Sequence, residues 1–105
     1  LVNGPLQGDV WWAQADDKRR PVLIVTRSDA IAVLSRVVVA PVTRTVRGIP
    51  TEIPLSPDDG LAIDCAASFD NLQPIRRELL TERIAALDPA RRHEICGALA
   101  ALGDC

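Results

Sequence analysis

Residues 21–26 and 36–42 hold two unbroken apolar stretches, Val22-Leu23-Ile24-Val25 and Val37-Val38-Val39-Ala40, rich in β-branched side chains. A strand with one wet face alternates apolar and polar residues. A stretch that is apolar at every position reads instead as a strand buried on both faces. Each stretch carries a proline. Pro21 opens the first, and Pro41, which has no N–H for a ladder, puts the second near its end or at a sheet edge. Aromatic residues are limited to Trp11, Trp12 and Phe69, so the core has to be built from Val, Ile, Leu and Ala.

The rest of the chain supplies short elements. Asn3-Gly4-Pro5 reads as a loop-like leader, and a strand is expected over residues 10–15. Trp11 and Trp12 are adjacent, so on a strand one enters the core and the other lines a surface or interface. Residues 14–20 are polar and read as a turn or loop, and residues 28–35 fit either a helical turn or a loop. Residues 43–50 form a polar loop, and residues 51–55 alternate as a strand does. Pro57-Asp58-Asp59-Gly60 is a strong turn signal. Residues 61–72 read as a strand interrupted by Asp64, Ser68, Asp70 and Asn71. Residues 76–87 fit either a helix or a helical turn followed by a strand. The last element is a helix with Asp88 as N-cap and Pro89 in its first turn. On it Ile95, Leu99, Leu102 and Cys96 share one side, and Gly103 suits its end. Many short strands with a closing helix imply a mainly β fold, a small, partly open β-barrel capped by a helix.

Charge and composition narrow the function. The net charge of −2 argues against a general nucleic-acid binder, but the charge is unevenly spread. The first 50 residues carry seven Lys/Arg against four Asp/Glu, and the remainder five against ten. Such asymmetry provides a local phosphate-attracting face on an acidic protein. Eleven of the twelve basic residues are Arg, which suits bidentate phosphate contacts. No run of 18 apolar residues and no secretory leader pattern is present, and the chain starts at Leu1 without a Met, so a few native residues are expected ahead of it. Cys65, Cys96 and Cys105 are widely spaced with no metal-binding pattern. Reduced thiols and a cytoplasmic location are expected.

His93 is the only histidine, and helical spacing turns it away from Ile95 toward solvent. A two-histidine ribonuclease mechanism and the usual serine- or cysteine-protease base are thereby excluded. Neither GxGxxG nor GxxxxGK[ST] occurs. Asp58, Asp59 and Asp64 are conceivable metal ligands, but turn chemistry alone accounts for Asp58 and Asp59, and no metal or other cofactor is expected. What remains is an arginine, threonine and carboxylate set. Cleavage of RNA through its own 2′-hydroxyl needs in-line positioning and charge stabilisation at the phosphorus, and no external nucleophile. Arg20 can supply the charge and Thr43 a hydrogen bond to a phosphate oxygen. Asp70 can take the 2′-hydroxyl proton, or Asn71 can hold a base edge.

These residues stand in a known order. Gly8-Asp9-Val10-Trp11-Trp12, Arg19-Arg20-Pro21-Val22-Leu23-Ile24-Val25, Val38-Val39-Ala40-Pro41-Val42-Thr43 and Pro50-Thr51-Glu52-Ile53-Pro54-Leu55 together resemble the MazF/PemK toxin family. Asp59-Gly60-Leu61 and Ser68-Phe69-Asp70-Asn71-Leu72 continue the match over roughly residues 8–102. The resemblance implies one MazF-like domain over residues 1–105, with residues 1–7 a flexible leader. It implies an SH3-like barrel of the CcdB/MazF type with a C-terminal helix, and a strand over residues 82–87. It also implies a homodimeric, metal-independent endoribonuclease that cuts single-stranded RNA at short motifs and is blocked by a cognate antitoxin. The products carry a 2′,3′-cyclic phosphate and a 5′-hydroxyl. The catalytic arginine of the family falls on Arg20 and its catalytic threonine on Thr43. Arg19, Arg44 and Arg47 are expected to contact phosphate or RNA. Ser68 stands where some members have an arginine, and Asn71 stands where many have glutamine.

Two other functions fit the same barrel class. One is a CcdB-like, protein-binding topoisomerase poison, which resembles this chain in fold but acts through C-terminal residues that include tryptophan, absent from residues 102–105 here. The other is a catalytically inactive antitoxin-binding module, which retained Arg20 and Thr43 argue against.

Overall fold

The computed structural model describes residues 4–103; Leu1–Asn3 of the expected leader, Asp104 and Cys105 lie outside the described residues. Seven strands, β1 (Asp9–Ala15), β2 (Lys18–Ile24), β3 (Arg36–Thr43), β4 (Glu52–Leu55), β5 (Cys65–Ser68), β6 (Gln73–Arg76) and β7 (Leu80–Ala86), form one curled sheet. A one-turn helix, α1 (Ser28–Ile31), follows β2, and α2 (His93–Leu102) closes the fold. The strand order is β4-β5-β3-β2-β1-β7, with β6 also on β3. The architecture is the expected one, mainly β with a half-barrel sheet and a C-terminal helix.

The two apolar stretches are β2 and β3, and both faces of each are covered. Leu23, Val25 and Ala40 join Val10, Ile53, Phe69 and Ile95 in one core. Val22, Ile24, Val37 and Val39 join Trp11 and Ile31 in a second core on the opposite face. Trp11 is the inward tryptophan, and its indole Nε1 donates to buried Asp9 at 3.1 Å. Trp12 is half-exposed on the other face, with the Arg19 guanidinium stacked 4.4 Å from its ring centre.

β3 has a divided edge. On one side Val22, Leu23 and Ile24 of β2 face Pro41, Ala40 and Val39. On the other side β6 pairs with residues 36–39 and β5 with residues 42–43. Val42 faces Ala67 and Val39 faces Gln73, so three steps along β3 correspond to six along the partner. Three extra residues are therefore extruded as a large bulge, the 3₁₀ turn Phe69–Asn71. Phe69 plugs the first core at 0% exposure, while Asp70 and Asn71 stay outside. The strand expected over residues 61–72 is thus confined to β5, because the core claims Phe69 and the polar pair after it cannot be buried.

Other elements differ from the pattern in instructive ways. The expected loop over residues 14–20 shrinks to Asp16-Asp17, both with positive φ (49° and 67°), joining β1 to β2 as a two-residue hairpin turn. Residues 77–79 form a 3₁₀ turn, and β7 follows because it can pair with β1, which outweighs its helical propensity. Asp88 accepts from the Ala90 N–H and caps a 3₁₀ turn, Pro89–Arg91, that precedes α2. On α2 the buried residues are Ile95 and Ala98; Leu99, Leu102 and Cys96 are exposed. The helical apolar stripe is wider than the strip the sheet covers, so its flank stays wet. Leu6 and Gln7 of the leader are tied down: the Leu6 N–H donates to Asp9 and the Gln7 N–H to the Ser28 hydroxyl, each at 2.9 Å.

Arg91 fastens the helix end to the sheet. Its guanidinium donates twice to Glu94 (2.7 and 2.9 Å), once to Asp59 (2.8 Å) and once to the Pro54 carbonyl (2.7 Å). The other Asp59 oxygen accepts from the Ser56 N–H, which completes the capping box of the turn over residues 56–60. Asp59 is thus committed to turn and clamp. Gly60, at φ 97°, packs so closely that a Cβ there would meet the Ala85 Cβ at 2.9 Å.

The Arg91 hydrogen bonds hold the Glu94 carboxyl below its ordinary value of 4.5. A depressed carboxyl contributes stability that is present above the ordinary value and lost as pH falls through the folded one. The melting-temperature gap between wild type and Glu94→Gln is therefore expected to narrow below about pH 4.5, followed by thermal unfolding across pH. Phe69→Ala removes the plug beneath the bulge and is expected to cost about 3–5 kcal/mol in urea unfolding.

Candidate active site

The divided edge of β3 opens a groove. Where β5 and β6 part, the bulge cannot close over Pro41, which offers no N–H to pair. The resulting depression has a volume of about 940 Å³. β2 contributes Arg20, β3 and the residue after it Thr43 and Arg44, the end of β5 Ser68, and the bulge Asp70 and Asn71.

Register explains why Arg20 and Thr43 meet there. Val22 faces Pro41. Extending that antiparallel register by two residues sets Arg20 across from Thr43, on the same face of the sheet. Among the described residues the Arg20 guanidinium has no hydrogen bond or ion pair to another protein group, and the side chain is exposed. A guanidinium without a carboxylate partner beside a groove keeps all its donors for a ligand. The Thr43 hydroxyl accepts from the Thr45 N–H at 3.1 Å. That bond occupies a lone pair and leaves the hydroxyl proton free to donate.

The bulge forms the opposite wall. The Thr51 hydroxyl donates to Asp70 Oδ2 at 2.6 Å, and Asn71 Nδ2 donates to Ser68 Oγ at 3.1 Å. Ser68 is buried and acts from beneath. With Arg20 and Arg44 against Asp70, the charges lining the groove favour an anion.

Two of the expected arginines lie elsewhere. Arg19 alternates to the opposite face, where it stacks on Trp12 and lies 3.7 Å from Glu82. Arg47 is exposed in the loop before β4, where its backbone N–H and that of Gly48 donate to Glu52 Oε1 at 2.9 and 3.1 Å. Neither lines the groove. His93 is exposed on α2, with Nδ1 3.0 Å from the Ala90 carbonyl. Sequence does not single out Thr51 or Gln73. Gln73 lines the groove, and Thr51 reaches Asp70 across 19 residues of chain, a contact no local pattern signals. Among the described residues no three His, Cys, Asp or Glu side chains come together as a metal site, and no helix is long and apolar enough to cross a membrane.

A small β-barrel with an arginine-bearing, open groove presents an anion-attracting surface. The chain belongs to the family of PemK-like, MazF-like toxins of type II toxin-antitoxin systems, whose model matches residues 6–102. It is 37% identical over 100 residues to the probable endoribonuclease MazF2 of Mycobacterium tuberculosis, covering 94% of this chain and 98% of that one. It is also 37% identical over 103 residues to the probable endoribonuclease MazF5 of the same organism, covering 96% and 94%. Among solved structures, Mycobacterium tuberculosis toxin MazF-mt6 superposes with a TM-score of 0.84 at 38% identity, covering 91% of this chain and 96% of that one. An endoribonuclease from a mycobacterial species, solved in complex with its cognate antitoxin, superposes with a TM-score of 0.81 at 28% identity, covering 94% of each.

Because the exposed Arg20 guanidinium has no hydrogen bond or ion pair among the described residues, Arg20→Ala is expected to leave stability within about 0.5 kcal/mol of wild type, read from urea unfolding midpoints.

Proposed function

We propose that the groove is the active site of an endoribonuclease toxin and that Arg20 and Thr43 carry its chemistry. The observation behind this reading is their placement: an unpartnered guanidinium and a hydroxyl with its proton free, on one face at the ends of neighbouring strands. The family and the endoribonuclease relatives supply the reaction class.

The substrate is single-stranded RNA, whose 2′-hydroxyl is the nucleophile. Its oxygen bonds to the adjacent phosphorus as the bond from phosphorus to the 5′-oxygen breaks. The 2′-proton is given up and the departing 5′-oxygen gains one, so the products are a 2′,3′-cyclic phosphate and a 5′-hydroxyl with no other reactant consumed. Arg20 donates to the equatorial oxygens as negative charge grows there, and Thr43 adds a second donor and fixes the phosphate. DNA lacks the nucleophile and is not cut. Arg44 holds a neighbouring phosphate.

The proposal extends to a homodimer, to a cognate antitoxin that covers the groove, and to action in the cytoplasm. The topoisomerase-poison and inactive-module readings are not favoured, since the relatives are named as endoribonucleases. Purified protein incubated with mixed-sequence RNA in EDTA is expected to release 5′-hydroxyl fragments at a restricted set of sites. Arg20→Ala and Thr43→Ala are each expected to slow cleavage about a hundredfold or more. Full cleavage by the double variant contradicts the assignment.

A further inference from the structure

The bulge carries more polar structure than a linker between β5 and β6 requires. Asp70 and Asn71 project from a turn outside the ladder, so neither side chain is needed to hold the sheet. Each is nevertheless fixed from behind. The Thr51 hydroxyl donates to Asp70 Oδ2 at 2.6 Å and holds that oxygen in place. The bond from Asn71 Nδ2 to Ser68 Oγ uses one of the two N–H groups of that amide and fixes the side chain. Of the two side chains the carboxylate is acceptor-only, and its second oxygen has no hydrogen-bond partner among the described residues.

We propose that Asp70 reads a nucleobase through its exocyclic amine, that Thr51 is the positioning residue for Asp70, and that uracil is disfavoured at this subsite. The inference rests on the endoribonuclease reading of the groove. Adenine, cytosine and guanine each present an exocyclic amino group that a carboxylate accepts. Uracil presents two carbonyls flanking a single ring N–H, so its carbonyl lone pairs crowd the Asp70 carboxylate. Unstacked bases in single-stranded RNA expose these edges for such contacts. Asp70 thus acts in selection on the wall facing Arg20, and the arginine and threonine act at the phosphate.

The test starts by mapping 5′ ends of fragments from mixed-sequence RNA. One position in the cut motif is expected to exclude uracil. Oligonucleotides carrying the preferred base or its deaminated counterpart there (cytosine against uracil, adenine or guanine against hypoxanthine) are then compared. Loss of the amine is expected to slow wild-type cleavage about tenfold to a hundredfold. Thr51→Val is expected to lose most of that discrimination and Thr51→Ser to restore it. Asp70→Asn is expected to admit uracil into the mapped motif. Thermal melts of the three variants exclude unfolding as the cause.

Uracil accepted at every position overturns the proposal, as does unchanged discrimination in Thr51→Val. So does an Asp70→Asn variant that cleaves every sequence more slowly by an equal factor with its motif unchanged, which makes Asp70 the proton acceptor instead. Anisotropy titrations of the same sequences with a 2′-deoxy sugar at the cut site give a reading independent of cleavage. A preference for the amino base in binding, with no cleavage of any RNA, supports the reader and refutes the endoribonuclease. Equal affinities overturn the reader whether or not RNA is cut.

Discussion

Three residue pairs, Val22 with Pro41, Leu23 with Ala40 and Ile24 with Val39, hold the two unbroken apolar stretches side by side. Everything else is arranged around that pairing. Because side chains alternate, it sends one set of residues into the core beneath α2 and the other into the core around Trp11. Neither set tolerates water, so a slip of one residue would expose both. The same fixed register, followed outward past the apolar part, delivers Arg20 and Thr43 to one face. The groove thus inherits its geometry from the hydrophobic register, with no dedicated hydrogen bond holding the arginine.

The second constraint is the lack of an N–H on Pro41. An uninterrupted partner along that edge of β3 would leave no groove. With the edge split, β5 and β6 each pair with part of β3, and the extruded residues between them form a wall. Phe69 anchors that wall from below, while Thr51 and Ser68 set the direction of its two polar side chains. Apolar burial supplies rigidity there, and two local hydrogen bonds supply orientation.

Much of this was legible in the sequence. Unbroken β-branched stretches announce strands covered on both faces, and adjacent tryptophans on a strand must part to opposite sides. The order of short motifs located Arg20 and Thr43, which do share the groove. What was not legible depends on partners distant in the chain. Residues 61–72 read as one interrupted strand, and only pairing with β3 shows where the interruption is expelled. The Thr51 to Asp70 bond links two segments that have no pattern in common. Ile95, Leu99 and Leu102 are equivalent on a helical wheel, and only the limited width of the sheet decides that Ala98 is covered in place of Leu99. Arg19 and Arg20 are neighbours in sequence, yet strand alternation sends them to opposite faces of the protein.

The extruded turn has a further consequence for how such a protein can change over generations. Asp70 and Asn71 contribute no rung to any sheet, and only their companion Phe69 is embedded. Replacing those two exposed side chains leaves the backbone ladder and both cores intact. Mutations at these positions are therefore released from the selection that folding imposes on β2 and β3. A duplicated copy is free to rewrite this wall while its barrel stays recognisable, so kinship in fold and divergence in the lining of the groove are compatible by construction.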